Sequence, residues 1–301
     1  MLNTVASILR SAMARPEKRT IAVAAAHDED VLKAVSEARK SGIAQGLLVG
    51  DAEKIQAILT ALGEKPEDYT IIASENDVDS AVKAVAAVRA GQAHFLMKGL
   101  LGTADLMRAV IDKETGLRTN RLISHVMLYE VPGKKMLALS DGGMNTFPDL
   151  PKKAEILENA ARVLKALGYE SMNAACVCGA EVVNPKVQST VDAQALSEMT
   201  DRWAPYNMNV FGPVGLDLAV SVEACHHKRY KAAGGGEADI LLVPTYEVGN
   251  GIGKAMSLFA GAKNAGIIVG AQVPIVLVSR ADSAESKLAS IALGAVTAGQ
   301  V

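Results

Sequence analysis

The segment 279–283, Ser-Arg-Ala-Asp-Ser, places an arginine, a carboxylate and two hydroxyls directly after an apolar run at 274–278. The run is predicted to form a strand, and ligands of open α/β sheets bind beyond the carboxyl ends of such strands. Arg280 could bind a phosphate or carboxylate through its planar guanidinium, or it could form a structural ion pair with an acidic neighbour. Asp282 or Ser283 could simply cap the following helix.

A glycine-rich stretch, 247–254, follows the predicted strand 240–244 and leads into a predicted helix. Glycines at such a junction let backbone N–H groups approach an anion, and the helix dipole favours negative charge there. A Walker A loop would need other residues than Val248 and Ala255, and a dinucleotide fingerprint would need glycine in place of Lys254. The stretch is therefore either an anion-binding turn of no standard class or only a tight strand–helix turn.

Two further strand ends carry candidate residues. In 211–217, the pair Gly212-Pro213 predicts a rigid turn that leads from a strand into a helix, with Asp217 in the first helical turn.

In the first half of the chain, Lys98 and Gly99 follow a strand, Thr103 lies near the next helix start, and Arg118 closes the run Gly-Leu-Arg. Lys98 and Arg118 could supply positive charge at the ligand edge of a sheet, although each residue alone could equally be a solvated surface charge.

The pattern between these sites alternates short apolar runs with longer amphipathic ones, which is typical of parallel α/β sheets. The predicted strands of the first half are 19–26, 46–49, 69–73 and 93–97, and Asp28 could cap the helix that follows the first strand. Runs 125–131 and 135–139, joined by Pro132-Gly133, predict an antiparallel hairpin. In the second half, helices are predicted at 193–200, 216–231 and 253–265, with a strand at 267–269. The fold class is α/β.

Composition excludes several classes of function. The 301 residues carry a formal net charge of −2 and only 4% aromatics, which argues against a nucleic-acid binder. No apolar run approaches the ~20 residues of a bilayer span, and 1–18 predicts a short amphipathic helix, not a secretion signal. The three cysteines fit a reducing, cytoplasmic location and are predicted to be inert core residues. The adjacent His226 and His227 are predicted to lie on a solvated helix face.

Taken in order, these clusters resemble the phosphate acetyltransferase/phosphate butyryltransferase family, and its butyryltransferase branch in particular. The resemblance is carried by LMKG followed by GLR and ISHV, by KKAEILENAARVLKALG and VFGPVGLDLAVS, and by ADILLVPTYEVGNGIGKAM and AGIIVGAQVPIVLVSRADSAESKLASIAL. Each motif alone is weak, but the ordered set extends over nearly the whole chain.

The resemblance implies a cytoplasmic acyltransferase: butanoyl-CoA + phosphate ⇌ butanoyl phosphate + CoA, by direct transfer in a ternary complex. It implies two α/β domains with mainly parallel sheets, in an isocitrate/isopropylmalate dehydrogenase-like plan with an interdomain active-site cleft. We expect residues 1–128 and 267–301 to form one domain and 129–266 the other. Acyl-CoA, inorganic phosphate and acyl phosphate are the expected partners, with no tightly bound cofactor, no metal, no nucleic acid and no membrane. The chain is expected to form a homodimer or a higher homo-oligomer.

Residue by residue, Ser279 and Arg280 match the family's Ser-Arg pair, which contacts coenzyme A and the reacting acyl phosphate. Arg118 matches a second family arginine at the phosphate. In acetyltransferase relatives an aspartate seven residues past the serine is the base for the CoA thiol, but here that position is Ser286. The candidate bases are then Asp282, Glu285 and Glu247.

The long, anionic coenzyme A would use Lys98 or Lys254 and the glycine-rich stretch 249–253. The full set of predicted substrate-binding residues is Lys98, Gly99, Thr103, Gly212, Pro213, Glu247, Gly249, Asn250, Gly251, Gly253 and Lys254. Alternatives are a phosphate acetyltransferase or a broad short-chain phosphotransacylase, a metal-dependent 2-hydroxyacid dehydrogenase, and a non-catalytic CoA-binding protein.

Overall fold

The computed structural model describes residues 1–278 and 282–301. The fold is mixed α/β, and the chain forms two compact units. The first unit comprises 5–121 and 265–301, and the second comprises 1–4 and 122–264. The predicted domain bounds of 128/129 and 266/267 stay a prediction.

The first part of the chain alternates helices and strands as predicted. Its elements are α1 (Val5–Met13), β1 (Arg19–Ala24), α2 (Glu29–Lys40), β2 (Ala44–Gly50), α3 (Ala52–Ala61), a 3₁₀ turn (Pro66–Asp68), β3 (Thr70–Ala73), α4 (Asp77–Arg89), β4 (Phe95–Lys98) and α5 (Thr103–Val110). Asp28 caps α2 by accepting a hydrogen bond from the Val31 amide, as its position in the sequence suggests.

The second unit begins with the predicted hairpin. Its elements are β5 (Ser124–Glu130), β6 (Leu137–Ser140), α6 (Leu150–Ala166), β7 (Met172–Val177), α7 (Gln188–Glu198), α8 (Thr200–Trp203), a 3₁₀ turn (Ala204–Tyr206), β8 (Met208–Val214), α9 (Leu216–Val220), α10 (Val222–Lys228), β9 (Ile240–Leu242) and α11 (Tyr246–Phe259). The chain then forms β10 (Lys263–Val269), β11 (Ile275–Val276) and α12 (Ala284–Thr297).

Both units are built on mainly parallel strands. Among the described residues of the first unit the strand order is β3-β2-β1-β4-β11-β10, with β10–β11 antiparallel and the pairs β3–β2, β2–β1, β1–β4 and β4–β11 parallel. In the second unit the order is β5-β6-β9-β7-β8, with the β5–β6 hairpin antiparallel and the pairs β6–β9, β9–β7 and β7–β8 parallel. The central strands are mainly apolar, as expected for strands covered by helices; Ile21, Val23 and Leu96, for example, are fully buried.

Three predicted helices are wrong in extent. The helix predicted at 193–200 is α7, which begins five residues earlier and ends at Glu198. The predicted helix 216–231 breaks at Ser221 because the carbonyls of Leu218 and Ala219 accept hydrogen bonds from Gly236 and Ala238 instead of from their own helix. The predicted helix 253–265 ends at Phe259, since Gly261 takes a positive φ of 63° and β10 begins at Lys263.

A buried carboxylate joins α2 to the segment before β3. Glu64 accepts hydrogen bonds from Arg39 Nη2 at 3.0 Å and Tyr69 Oη at 2.7 Å, and Lys40 Nζ lies 2.5 Å from its other oxygen. Burial alone would raise the pKa of Glu64, but the hydrogen bonds from Lys40, Tyr69 and Arg39 outweigh it and lower the pKa from 4.5 to about 2.

We expect Glu64→Gln to destabilise the protein by about 3 kcal/mol at pH 7, the linkage energy of this pKa shift. Because the folded pKa is depressed, the stabilisation is complete above the unfolded pKa and is lost as the pH falls through the folded value of about 2. The difference between wild type and variant should therefore shrink as the pH is lowered from 5 towards 2. Thermal and urea unfolding at several pH values measure it.

Glu53→Gln, at an exposed position of α3, is the matched control and should change stability little at any pH. A Glu64→Gln destabilisation that stays constant from pH 7 to pH 2 would contradict the ionic role of this carboxylate.

Candidate functional site

The first group of candidate residues lies where β4 leaves the sheet of the first unit. The amides of Gly99 and Leu100 donate to the carbonyls of Ala24 and Ala25, each at 2.8 Å, so this turn lies directly on the end of β1. A Cβ at position 99 would collide with both of these carbonyl oxygens, and only glycine fits there.

Lys98, predicted to bind coenzyme A, is half-buried and turned into its own loop. Its Nζ donates to the carbonyls of Gly99 and Leu101, each at 3.0 Å. Thr103 is exposed at the first residue of α5, after the cap residue Gly102. Lys98 thus helps to hold the shape of the turn, and any contact with a substrate stays a prediction.

Among the described residues, Arg118 has an unpaired side chain next to a backbone segment that is held by hydrogen bonds. Its neighbour Leu117 is buried, donates to the Val110 carbonyl at 2.7 Å and accepts from the Gln272 amide at 2.8 Å. The Arg118 side chain is exposed, and its guanidinium has no hydrogen bond or ion pair within 1–278 and 282–301. An unpaired guanidinium of this kind is available to an oxyanion.

Ser279 and Arg280 lie outside the described residues. The strand before them, β11, runs parallel to β4, with Ile275 opposite Leu96 and Val276 opposite Met97. The chain therefore leaves β11 at the same edge of the sheet at which Lys98 leaves β4.

The residues from 282 to 286 differ in burial and in their hydrogen bonds. Ser283 caps α12 by accepting from the Ser286 amide at 3.1 Å, which confirms its capping interpretation. Ser286 is buried, and its Oγ lies 3.0 Å from the Ser283 Oγ. Asp282 is half-buried and Glu285 is exposed. At the position of the family aspartate, a buried serine engaged with a cap therefore replaces a carboxylate.

The glycine-rich stretch is a helix rather than the expected turn. α11 begins at Tyr246, so Gly249, Gly251 and Gly253 lie inside it. The glycines at 249 and 253 allow close packing, because a Cβ at 249 would lie 2.8 Å from Gly142 Cα and one at 253 would strike Tyr129 Oη.

The amides at the start of α11 are mostly used within the protein. Tyr246 N donates to the Thr146 carbonyl at 3.1 Å, and Gly249 N donates to the Thr245 carbonyl at 3.1 Å. Glu247, Gly251 and Lys254 are exposed along the helix, and Asn250 is half-buried. The predicted open cradle of backbone amides is not formed; substrate contacts of these side chains stay a prediction.

Gly212-Pro213 also differs from the prediction. Both residues lie within β8, joined by a cis peptide bond, and α9 starts only after Gly215. Gly212 has φ 150°, and a Cβ there would lie 2.9 Å from Cys176 Cβ, so the strand packs too closely against β7 for a side chain. Asp217 lies in the first turn of α9, as predicted, and pairs with Lys228 at 3.0 Å.

Sequence reasoning missed the turn after β6, with the sequence Ser-Asp-Gly-Gly-Met-Asn at 140–145. The buried Asp141 carboxylate accepts from the amides of Gly143 and Met144, each at 2.8 Å, and from Asn145 Nδ2 at 2.6 Å. It also accepts from His125 N at 3.2 Å. The signal was present as an Asp-Gly-Gly triplet at a strand end, a pattern that marks a tight turn.

The cysteines are buried and free, as predicted. Burial raises the pKa of the Cys176, Cys178 and Cys225 thiols, so these groups are poor nucleophiles at neutral pH. In the part of the chain that the structure describes, no cluster of three or more His, Cys, Asp or Glu side chains could hold a metal ion. No helix of that part is long and apolar enough to span a bilayer.

Comparison with known proteins gives consistent results over most of the chain. A family model described as "Phosphate acetyl/butaryl transferase" matches residues 64–295. The chain is 44% identical to the phosphate butyryltransferase of Clostridium acetobutylicum, over 94% of each chain. It is 40% identical to the phosphate acetyltransferase of Thermotoga maritima, over 95% of this chain and 97% of that one.

Among solved structures, the fold is similar to the crystal structure of a branched-chain phosphotransacylase from Enterococcus faecalis V583. The TM-score is 0.83 at 34% sequence identity, and the match covers 94% of this chain and 100% of that one. The similarity extends over both units, and the guanidinium of Arg118, in the Gly-Leu-Arg run, is unpaired among the described residues. The chain belongs to the phosphate acetyltransferase/phosphate butyryltransferase family.

Proposed function

We propose that this protein is a phosphate acyltransferase that catalyses butanoyl-CoA + phosphate ⇌ butanoyl phosphate + CoA. The observation that carries the proposal is the similarity to the phosphate butyryltransferase of Clostridium acetobutylicum along 94% of both chains. A phosphate acetyltransferase, or a broad short-chain phosphotransacylase, is the second candidate, because the acetyltransferase of Thermotoga maritima is nearly as similar.

The acyl group is transferred directly between the two substrates. In the direction of acyl phosphate synthesis, a phosphate oxygen attacks the thioester carbonyl carbon, a tetrahedral oxyanion forms, and the C–S bond breaks to release the CoA thiolate, which takes up a proton. Negative charge therefore develops on the carbonyl oxygen beside an already anionic phosphate. Cations held at this point stabilise the transition state more than the ground state.

Arg118 and Arg280 are the proposed cations, and Ser279 donates a hydrogen bond beside Arg280. The support for Arg118 is its exposed guanidinium, which has no ion-pair partner among the described residues. Arg280 follows β11, whose chain leaves the sheet at the edge where the Lys98–Gly99 turn lies. A planar guanidinium can hold two phosphate oxygens at once, which a lysine ammonium does not.

Asp282 is the proposed base for the CoA thiol in the reverse direction. It is half-buried and two residues beyond Arg280, whereas Ser286 is buried and engaged with Ser283. Glu285, at the second residue of α12, and Glu247, at the second residue of α11, are the alternatives. The role of the base is to form the thiolate, since the thiol itself is a weak nucleophile.

The remaining features of the proposal follow from family membership. Coenzyme A is a substrate, and no tightly bound cofactor takes part. We propose a cytoplasmic homodimer with the isocitrate/isopropylmalate dehydrogenase-like plan; its interdomain cleft stays a prediction. Substrate contacts by Lys98, the glycine-rich helix and Gly212-Pro213 stay predictions as well.

A thiol-release assay tests the reaction. Purified protein is given phosphate with acetyl-, propionyl-, butanoyl- or isobutanoyl-CoA, and we expect phosphate-dependent CoA release that is fastest with butanoyl-CoA. Two methylenes are worth about 1.6 kcal/mol when buried, so kcat/KM for butanoyl-CoA should exceed that for acetyl-CoA by about tenfold. A preference for acetyl-CoA would favour the second candidate, and no release with any thioester would refute both.

Arg118→Ala and Arg280→Ala should each lower kcat/KM by about 10²-fold or more, since each removes a charge next to the developing oxyanion. Lysine at either position should recover only part of the loss, because it lacks the bidentate geometry. Arg108→Ala is the control: Arg108 is exposed on α5 and paired with Asp105 at 2.8 Å. Near-wild-type turnover of the two alanine variants would exclude the proposed roles.

The base is located by Asp282→Asn, compared with the equally conservative Glu285→Gln and Glu247→Gln. We expect Asp282→Asn alone to lower kcat for the reverse reaction by about 10²-fold at pH 7. The loss should diminish as the pH rises towards about 8.5, where a free thiol ionises without assistance. If another of the three variants shows this pH-dependent loss, the base is that residue; if none does, no carboxylate of this set is the base.

A further inference from the structure

A group of basic side chains lies at the amino edge of the first unit, where β1 and β4 begin. Arg19 is the first residue of β1, and His94 directly precedes β4. His94 Nδ1 accepts a hydrogen bond from the Thr20 amide at 3.0 Å, and the His94 amide donates to the Thr20 carbonyl at 2.8 Å. The imidazole is therefore held next to Arg19, and in its neutral form Nε2 carries the proton.

Arg15 brings a second guanidinium to the same place. Arg15 Nη2 donates to the Val296 carbonyl in the last turn of α12 at 2.6 Å. Arg19 Nη2 lies beside Gly299, three residues further on, because a Cβ at that position would be 4.0 Å from it. Burial and the charge of Arg19 lower the pKa of Arg15, and the same two causes lower the pKa of His94. The fold thus brings together three basic groups from segments that are far apart in the sequence.

The positive charge of Arg19 has no counterpart in the described part of the chain. The residue is half-buried, and Arg19 Nε is buried without a hydrogen-bond acceptor. Its guanidinium forms no hydrogen bond or ion pair within 1–278 and 282–301. Arg39 Nε also has no acceptor, but the charge of Arg39 is balanced by Glu64 at 3.0 Å and Asp68 at 2.9 Å. A buried charged donor without an acceptor is costly, and an ion or a water molecule is a common explanation for such a group.

The surroundings of Arg19 carry an excess of positive charge. Arg15, Lys18 and Arg19 lie within five residues of sequence, which contain a single, exposed carboxylate. That carboxylate, Glu17, raises the pKa of His94, but burial and Arg19 outweigh this effect. The end of α12 supplies only about half an elementary negative charge, and Arg15 already uses one of its carbonyls. A phosphate group next to Arg19 is therefore attracted by more than one cation.

We propose that Arg15, Arg19 and His94 form a second anion site, which binds a phosphate group away from the reacting groups. The planar fork of Arg19 can hold two phosphate oxygens, and Arg15 and His94 Nε2 are further donors. The site lies at the amino ends of β1 and β4, whereas the Lys98–Gly99 turn lies at their carboxyl ends, about 16 Å away along β1. The site goes beyond the proposed acyl transfer, since a phosphate bound there does not touch the transferred acyl group.

The first test counts phosphate sites per chain by equilibrium dialysis with ³²P-labelled inorganic phosphate. We expect two saturable sites in wild type, one in Arg19→Gln, one in Arg280→Ala and none in the double variant. Arg10→Gln is the matched control, because Arg10 is exposed on α1 of the same unit; it should retain both sites. Arg19→Gln loses no hydrogen bond within the described chain, so without phosphate its thermal unfolding temperature should not fall below that of wild type.

The second test uses the Arg280→Ala protein, in which only the site at the amino edge should remain. Arg15→Gln and His94→Gln should each weaken its phosphate binding about tenfold, because each removes one donor. Competition between ADP and inorganic phosphate identifies whether the bound group belongs to a nucleotide or is free phosphate.

A single site in wild type that Arg280→Ala removes, or two sites in Arg19→Gln, would overturn the proposal. CoA release by wild type is assayed in parallel. If wild type releases no CoA but Arg19→Gln still lacks a phosphate site, the proposed reaction fails and the anion site stands.

Discussion

The turn after β4 lies on the carbonyl oxygens that end β1, and the positions of Lys98 and Gly99, two predicted substrate-binding residues, depend on this close approach. Gly99 makes it possible, since any Cβ there would collide with the carbonyls of Ala24 and Ala25. The Lys98 ammonium then holds the turn through two carbonyls. Because β11 is in register with β4, the chain that continues to Ser279 and Arg280 leaves the sheet at the same edge.

In the second unit, a buried carboxylate bonds the backbone groups at the end of a strand. Asp141 collects amide donors from the turn that follows β6, and this turn packs against the helix α11 through Gly142 and Gly249. Backbone groups that would otherwise be unsatisfied at a strand end are thereby bonded within the protein. At both strand ends the polar groups of the turn are therefore bonded within the protein.

The net charge of a protein does not indicate whether it binds anions such as phosphate. The chain has a net charge of −2, yet most of its buried cations are neutralised by internal partners: Lys153 pairs with Asp192 at 2.7 Å and Lys287 with Asp30 at 3.4 Å. Arg118 differs from them because its guanidinium is exposed and has no partner among the described residues. A few cations in the right place suffice for phosphate, since the interaction is short-ranged in salt.

The sequence by itself determined the type of most helices and strands, the parallel alternation, the hairpin at β5–β6 and the caps Asp28 and Ser283, because these depend on neighbours within a few residues. Only the tertiary structure decided that the glycine-rich stretch is helical, that the predicted helix 216–231 breaks at Ser221, and that Lys98 is engaged by its own turn. The Asp-Gly-Gly triplet marks the Asp141 turn in the sequence, but the hydrogen-bond donors to the Asp141 carboxylate include the amide of His125 on another strand. At the helix break and in the Asp141 turn, a group distant in the sequence supplies the hydrogen-bond partner, and local patterns contain no information about such groups.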